Sequence, residues 1–349
     1  MSQQRSFEDA LEYLRSRTPA GTRFRLDTVR ALVSALDHPE RAFPVLLVAG
    51  TNGKGSVVAY VDAALRACGH RAGRYTSPHL IHVQERIAID GRPIDEEAFT
   101  EAVNQVRVVS GELIARREIA DHPTFFEALT AAAFLVFRRR CIDVAVVEVG
   151  MGARLDATNV AEPLCSAIVS IALEHERFLG DTIEAIASEK AGVLRSGRVT
   201  VLGPLPRKAS AVVASRAREI GARLLAAGKD VEILDDGRHI DVRTPRHHYA
   251  DIRPLPGAFQ RANLVVALRL LESAAEAGLA FDPERASSGL RRVEWPGRLE
   301  LFPGDPPVLL DGAHNPAAAA ALSDEVRRRG PFVLLFGVMR DKNIRQIAR

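Results

Sequence analysis

Residues 45–56, VLLVAGTNGKGS, constrain the chain more than any other stretch. The five apolar residues Val45–Ala49 suit a strand buried on both faces of a sheet. Gly50, Gly53 and Gly55 then surround Lys54, and an amphipathic stretch runs on from Val57 to Leu65. Strand, glycine loop, lysine and helix in that order form a cradle for phosphate. Glycines let backbone N–H groups turn inward, the helix start adds positive dipole, and the lysine reaches the outer phosphates. The spelling departs from the common phosphate loop, because Gly55 stands where Ser or Thr normally follows the lysine. The hydroxyl that would hold magnesium is therefore absent or moved to Ser56, and another segment is expected to supply metal ligands. The pattern predicts a nucleoside triphosphate site, with a plain glycine-rich turn as the alternative.

A chain of 349 residues exceeds the usual single core, so two domains are expected. Hydrophobic content of 47% and charged content of 26% are those of a globular protein. A net charge of +3 with scattered arginines gives no reason to expect a nucleic-acid partner. Cys68, Cys141 and Cys165 lack metal spacing; the latter two flank apolar runs and read as buried, reduced thiols of a cytoplasmic protein. The first residues carry no apolar core of a signal peptide, and no run reaches membrane-spanning length, so no membrane association is expected.

Periodicity predicts helices over Phe7–Leu14, Leu26–Leu36, Lys54–Cys68, Asp95–Ala115, Thr124–Arg138, Thr182–Leu194, Lys208–Ala222, Ala258–Glu276 and Pro283–Val293. Strands are expected at Val45–Ala49, His70–Tyr75, Asp143–Val149 and Ser166–Leu173. ERIAIDGRPI reads as a hairpin about Asp90-Gly91, and Val231–Ile252 as a strand-rich excursion. Such alternation argues an α/β fold with a phosphate-loop-type, doubly wound, mostly parallel sheet. Near Trp295-Pro296-Gly297 the helical pattern stops. A strand (Pro307–Leu310), a helix (Asn315–Arg329) and another strand (Phe332–Phe336) follow. Residues 1–295 are thus expected to form the nucleotide-binding domain and 296–349 the start of a smaller Rossmann-like one.

Three further clusters carry chemistry. Glu148 ends the apolar run 143–149, where such folds place a magnesium ligand; a solvated acid at a sheet edge is the alternative. In the following RLDATN, Arg154 and Asp156 are either a loop ion pair or substrate contacts. His175 follows the next apolar run and could join Glu148 as a metal ligand or be a polar loop residue. Lys190, beside Glu189, has nothing in its composition to separate it from an ordinary helical lysine. Finally, VLLDGAHNP (308–316) sets an acid, glycine and histidine after a strand, with Asn-Pro opening a helix. Asp311 could accept ribose hydroxyls or merely cap the loop, and Arg298 and Asn263 are unremarkable alone.

Together these motifs resemble the folylpolyglutamate synthase and dihydrofolate synthase family, within the Mur-type ligases. The resemblance rests on GTNGKGS (50–56), TSPHL (76–80), ERI with IDG (85–91), TFFEALTAAAF (124–134), EVGMGARLDATN (148–159) and FLGDTIEAIASEKAG (178–192). It continues through QRAN (260–263), PGRLE (296–300), DGAHNP (311–316) and DK (341–342), in family order across nearly the whole chain. GKGS and DGAHNP favour the folate branch over the cell-wall branch.

The resemblance implies an ATP-dependent ligase that phosphorylates a pterin carboxylate and joins L-glutamate to the acyl phosphate. The acceptor would be dihydropteroate, with a reduced folate as a further substrate, and the enzyme is expected to act as a monomer. Asn52, Gly53, Lys54, Gly55 and Ser56 would cradle the phosphates, with Asn263, Arg298 and Asp311 as further nucleotide contacts. Ser77, Glu148 and His175 look like ligands of Mg²⁺, of which two ions are expected. Lys190 matches a lysine that the family carbamylates. Lys54, Lys190 and His175 form the implied catalytic set. Thr124, Phe125, Phe126, Glu127, Leu155, Asp156 and Ala157 match the pterin pocket. Ala153 and Phe259 depart from the family's usual glycine and histidine, and Glu174 stands where aspartate is frequent. Members also continue for several strands and helices past the equivalent of Arg349. Two other readings stay open: a ligase acting on UDP-linked sugar acids, and a nucleotide- and pterin-binding protein without catalysis.

Overall fold

A computed structural model describes residues 6–17, 25–339, 342 and 344–347. The chain opens with two short helices, α1 (Phe7–Arg15) and α2 (Asp27–Ala35), and then enters β1 (Val45–Ala49), α3 (Lys54–Ala67) and β2 (Ala72–Tyr75). The Asp90-Gly91 turn, with both residues at positive φ, joins β3 (Ile87–Ile89) to β4 (Arg92–Pro93) as the expected antiparallel hairpin. Two long helices follow, α4 (Glu96–Ala115) and α5 (Phe125–Arg139). Asp95 caps α4 through Ala98 N, and Thr124 and Glu127 close a reciprocal capping box on α5, so both starts are written in the sequence.

Next come β5 (Val144–Glu148), β6 (Pro163–Ile168), α6 (Glu176–Leu179), α7 (Ile183–Lys190), β7 (Val199–Leu202), α8 (Arg207–Ile220) and β8 (Arg223–Ala226). The excursion anticipated over 231–252 is a three-stranded antiparallel sheet of β9 (Glu232–Asp235), β10 (Ile240–Arg243) and β11 (His248–Ile252). Helices α9 (Gln260–Glu276) and α10 (Pro283–Leu290) precede the last segment, which holds β12 (Glu300–Phe302), β13 (Val308–Leu310), α11 (Pro316–Val326) and α12 (Ile344–Ile347).

The main sheet has eight strands in the order β4-β3-β2-β5-β1-β6-β7-β8, parallel from β2 through β8 and antiparallel only at β3 and β4. Alternate residues of its central strands feed two cores. Val45, Leu47, Ala145 and Val147 pack under α1, α2, α4 and α5, while Leu46, Val48, Val144 and Val146 pack under α3, α9 and α10. Central strands buried on both faces explain the unbroken apolar runs. The carboxyl ends of β1, β2, β5 and β6 therefore meet along one edge, the place where doubly wound sheets bind ligands. No described helix is long and apolar enough to cross a membrane.

Four expectations need correction. Strands β7 and β8 were hidden in short runs flanked by arginines. β6 runs over Pro163–Ile168 rather than 166–173: Val169 N still donates to Ala49 O at 2.8 Å, but Ser170 then turns onto the loop after β1. Cys165 is buried as expected, but Cys141 is exposed at the positive-φ turn that ends α5. No strand forms over 332–336, where Val333 and Leu335 are each 99% exposed. β13 pairs with β12 alone, and extended backbone without a ladder partner gains nothing from being a strand.

Candidate active site

The loop after β1 is clamped from beneath by the segment after β6. Thr51 N donates to Ser170 O, and Asn52 N to Ser170 Oγ, both at 2.9 Å. Ser170 Oγ in turn donates to Asn52 O at 2.8 Å. Gly53 sits at φ +85° as the residue before α3, and a side chain there would collide with Asn263 Oδ1. Lys54 Nζ curls back to the carbonyls of Gly50 and Thr51, 3.1 Å from each. Ser56 Oγ accepts from Gln260 Nε2 at 3.1 Å, and Gln260 Oε1 accepts from Asn263 Nδ2 at 2.9 Å. Gly55 touches the Trp295 ring, which also carries Arg74 at 5.1 Å in a cation–π contact. The loop thus leads directly into the start of α3, whose positive dipole end favours an anion.

Glu148 ends β5 beside Val48 of β1 and is only 5% exposed. Its Oε2 accepts from Ser77 N at 3.2 Å, which places the TSPHL segment against the carboxylate. Burial pushes this carboxyl up, and the nearby Lys54 ammonium pulls it back. His175 is the residue just before the short helix α6 and is pushed down to about 4, chiefly by burial, with Lys342, Lys54 and Lys190 adding repulsion against the pull of Glu174. Glu148 and Ser77 are thus adjacent, and His175 shares the Lys54 ammonium with Glu148 as a charged neighbour. No group of three or more His, Cys, Asp or Glu gathers as metal ligands among the described residues, so a cation here would rest on Ser77 and water as well.

Lys190 is no ordinary helical lysine. It is 4% exposed, and its Nζ donates to Gly50 O at 2.8 Å, the same carbonyl that Lys54 reaches. Burial first, and the Lys54 charge second, push it down to about 7. At that value much of the amine is neutral near neutral pH and able to act as a nucleophile. The neighbouring Glu189 pairs with Arg154 at 2.8 Å, so the ion pair considered for Arg154 and Asp156 does not form.

Asp156 instead organises its own loop. Its Oδ2 accepts from Met151 N at 2.9 Å, and its Oδ1 from Thr158 N at 3.0 Å and Thr158 Oγ1 at 2.5 Å. Burial raises this carboxyl against those bonds. Phe126 lies on Gly150 beside Asp156, with its ring 5.9 Å from that of Tyr75. Phe125 stacks under Arg86 at 5.1 Å. Glu127 Oε2 is occupied by Thr124 N at 2.8 Å, while its buried Oε1 has no protein partner. Leu155 is half-buried and Ala157 buried on either side of Asp156. Phe126, Tyr75 and Asp156 thus gather around Gly150, two residues after Glu148.

The last segment closes over the loop. Asp311 caps its own turn, with Oδ2 accepting from Leu299 N at 3.0 Å and Oδ1 from Ala313 N at 2.8 Å. Arg298 Nη1 donates to Gly297 O at 2.9 Å. Asn315 Nδ2 donates to Asn52 Oδ1 at 2.8 Å, and the Asn52 amide returns a bond to Asn315 Oδ1 at 3.2 Å. The paired amides therefore join the loop after β1 directly to the start of α11. Glu174, His314, Asn315, Lys342 and Trp295 were not singled out from the sequence as site residues. The DGAHNP and DK motifs contain His314, Asn315 and Lys342, and Glu174 was noted as a departure from the family, but none was given a role. Asp341 lies outside the described residues.

No protein-family model matches the chain. A search of curated proteins finds the dihydrofolate synthase/folylpolyglutamate synthase of Bacillus subtilis, 36% identical over an alignment of 348 positions that covers 97% of this chain and 80% of that protein. Among solved structures, the folylpolyglutamate synthase of Mycobacterium tuberculosis complexed with ADP and AMPPCP aligns with a TM-score of 0.88 and 34% identity, covering 98% of this chain and 78% of that one. The FolC protein of Escherichia coli in complex with DHPP and ADP aligns with a TM-score of 0.87 and 28% identity, covering 100% and 81%.

Proposed function

The chain belongs to the dihydrofolate synthase/folylpolyglutamate synthase family of ATP-dependent glutamate ligases, and from that premise we propose that it joins L-glutamate to the carboxylate of dihydropteroate, and to reduced folates through the same pocket. A carboxylate is a poor electrophile because its charge is delocalised. Its oxygen attacks the γ-phosphorus of ATP, the bond to ADP breaks, and an acyl phosphate results. The glutamate α-amine then attacks the acyl carbon, phosphate leaves with one former carboxylate oxygen, and the amine proton passes to solvent. Holding the two anions together supplies much of the rate, since positioning can contribute ~7–11 kcal/mol.

Residues 50–56 would cradle the triphosphate, with Lys54 turning from its loop carbonyls to the phosphate oxygens as charge moves between them. Asn263, Arg298 and Asp311 would complete the nucleotide site from α9 and the last segment, residues 296–349. Ser77, Glu148 and His175 would hold Mg²⁺, which supplies charge neutralisation between carboxylate and phosphate. Thr124 to Glu127 and Leu155 to Ala157 would receive the flat pterin against Phe126. Lys190 would add its neutral amine to carbon dioxide, forming an N–C bond and releasing one proton. The resulting carbamate turns a buried cation into an anion suited to a second metal ion.

One observation carries this reading. Lys54 and Lys190 reach the Gly50 carbonyl from two different elements, beside the buried Glu148 and the neutral His175. Incubation with ATP, Mg²⁺, dihydropteroate and labelled glutamate should yield labelled dihydrofolate. Label appearing only on reduced folate would leave the chain-extending activity alone; label on neither would overturn the proposal.

A further inference from the structure

Glu174 ties the last segment of the chain to the phosphate loop. It follows the turn after β6, is half-buried with its side chain 8% exposed, and directs Oε1 at three donors from beyond residue 311. His314 Nε2 lies at 3.0 Å, Asn315 Nδ2 at 3.1 Å and Lys342 Nζ at 3.4 Å. Asn315 is also the residue whose amide pairs with Asn52 of the phosphate loop. His314 is fixed from its other side, Nδ1 lying 2.8 Å from Gly312 O. One carboxylate oxygen therefore sets the register of the 311–316 loop and of Lys342 against the edge where the triphosphate would sit. Lys342 is buried enough for this to matter, its side chain being 11% exposed.

We propose that Glu174 is a positioning residue for the ligase reaction, holding His314, Asn315 and Lys342 over the phosphate loop so that the cleft is assembled when ATP binds. This rests on the ligase reading above and goes beyond it, because Glu174 needs no contact with substrate. Hydrogen bonds to charged groups are among the stronger ones in proteins, and three share this acceptor. The residues proposed above for the pterin pocket, Thr124 to Glu127 and Leu155 to Ala157, are not among the three groups that Glu174 holds.

The test uses the full chain and compares wild type with Glu174→Gln, Glu174→Asp and Lys342→Met. Glu174→Gln should lower kcat about tenfold or more and raise KM for ATP, with KM for dihydropteroate unchanged. Glu174→Asp keeps the charge and should recover part of the loss. The double variant Glu174→Gln, Lys342→Met should cost little more than Glu174→Gln alone, since both changes break one tie. Unchanged ATP kinetics in Glu174→Gln overturn the inference. So do fully additive effects, or an equal loss in all parameters traceable to unfolded protein. If wild type itself forms no labelled product, the ligase reading fails first, and the two failures are thereby told apart.

Discussion

Replacing Lys190 by methionine should make the protein more stable and abolish its turnover. The side chain is 4% exposed and its ammonium is pushed down from 10.5 to about 7 by burial and by Lys54. Between those values the unfolded chain holds a proton that the folded chain gives up. Stability therefore rises with pH across that window and falls as pH drops through it, by about 1.4 kcal/mol per unit. At neutral pH the accumulated cost of burying this amine is on the order of 4 kcal/mol. Methionine has a similar reach and no charge, and its cost is the bond to Gly50 O, about 1 kcal/mol. Urea unfolding in buffer free of carbon dioxide should show Lys190→Met ahead by roughly 2–3 kcal/mol near neutral pH. The gap should close near pH 10, where unfolded Lys190 is still mostly protonated but the remaining proton-linked cost has fallen to about 1 kcal/mol, the worth of the bond to Gly50 O. A variant less stable than wild type near neutral pH, or a gap that ignores pH, would refute the reasoning. Added bicarbonate should increase the mass of wild type, and not of the variant, by one carbon dioxide.

Lys54→Met should lower kcat by about 10²–10³-fold with the fold intact, read by steady-state phosphate release. Gly53→Ala forces a side chain into a left-handed backbone and into Asn263, so ADP affinity should fall, measured by calorimetry. Phe126→Ala removes the ring packed on Gly150 and Tyr75 and should raise KM for dihydropteroate up to about tenfold while sparing KM for ATP.

The sheet centre was legible because strands buried on both faces leave unbroken apolar runs, as in Val45–Ala49 and Val144–Glu148. Strand β7 and the edge strand β8 are four residues each and sit among arginines, so no run announces them. The phosphate loop was legible because its chemistry is local: glycines, a lysine and a helix start within seven residues. Lys190 could not be distinguished from a surface lysine, because its burial depends on a carbonyl 140 positions away. The tie through Glu174 was hidden for the same reason, its partners lying from 140 to 168 positions further on. The roles of Asp156 and Asp311 looked ambiguous, and in the fold both carboxylates hold their own backbone turns. Turn-forming acids and ligand-binding acids occupy the same strand-end positions, so residue type alone does not divide them.

The account stands on transfer of phosphate to the substrate's carboxylate, and dihydropteroate labelled with oxygen-18 in that group tests it directly. With ATP, Mg²⁺ and glutamate, mass spectrometry should find one labelled oxygen in each inorganic phosphate released and one in the new amide. Unlabelled phosphate accompanying dihydrofolate formation would contradict it.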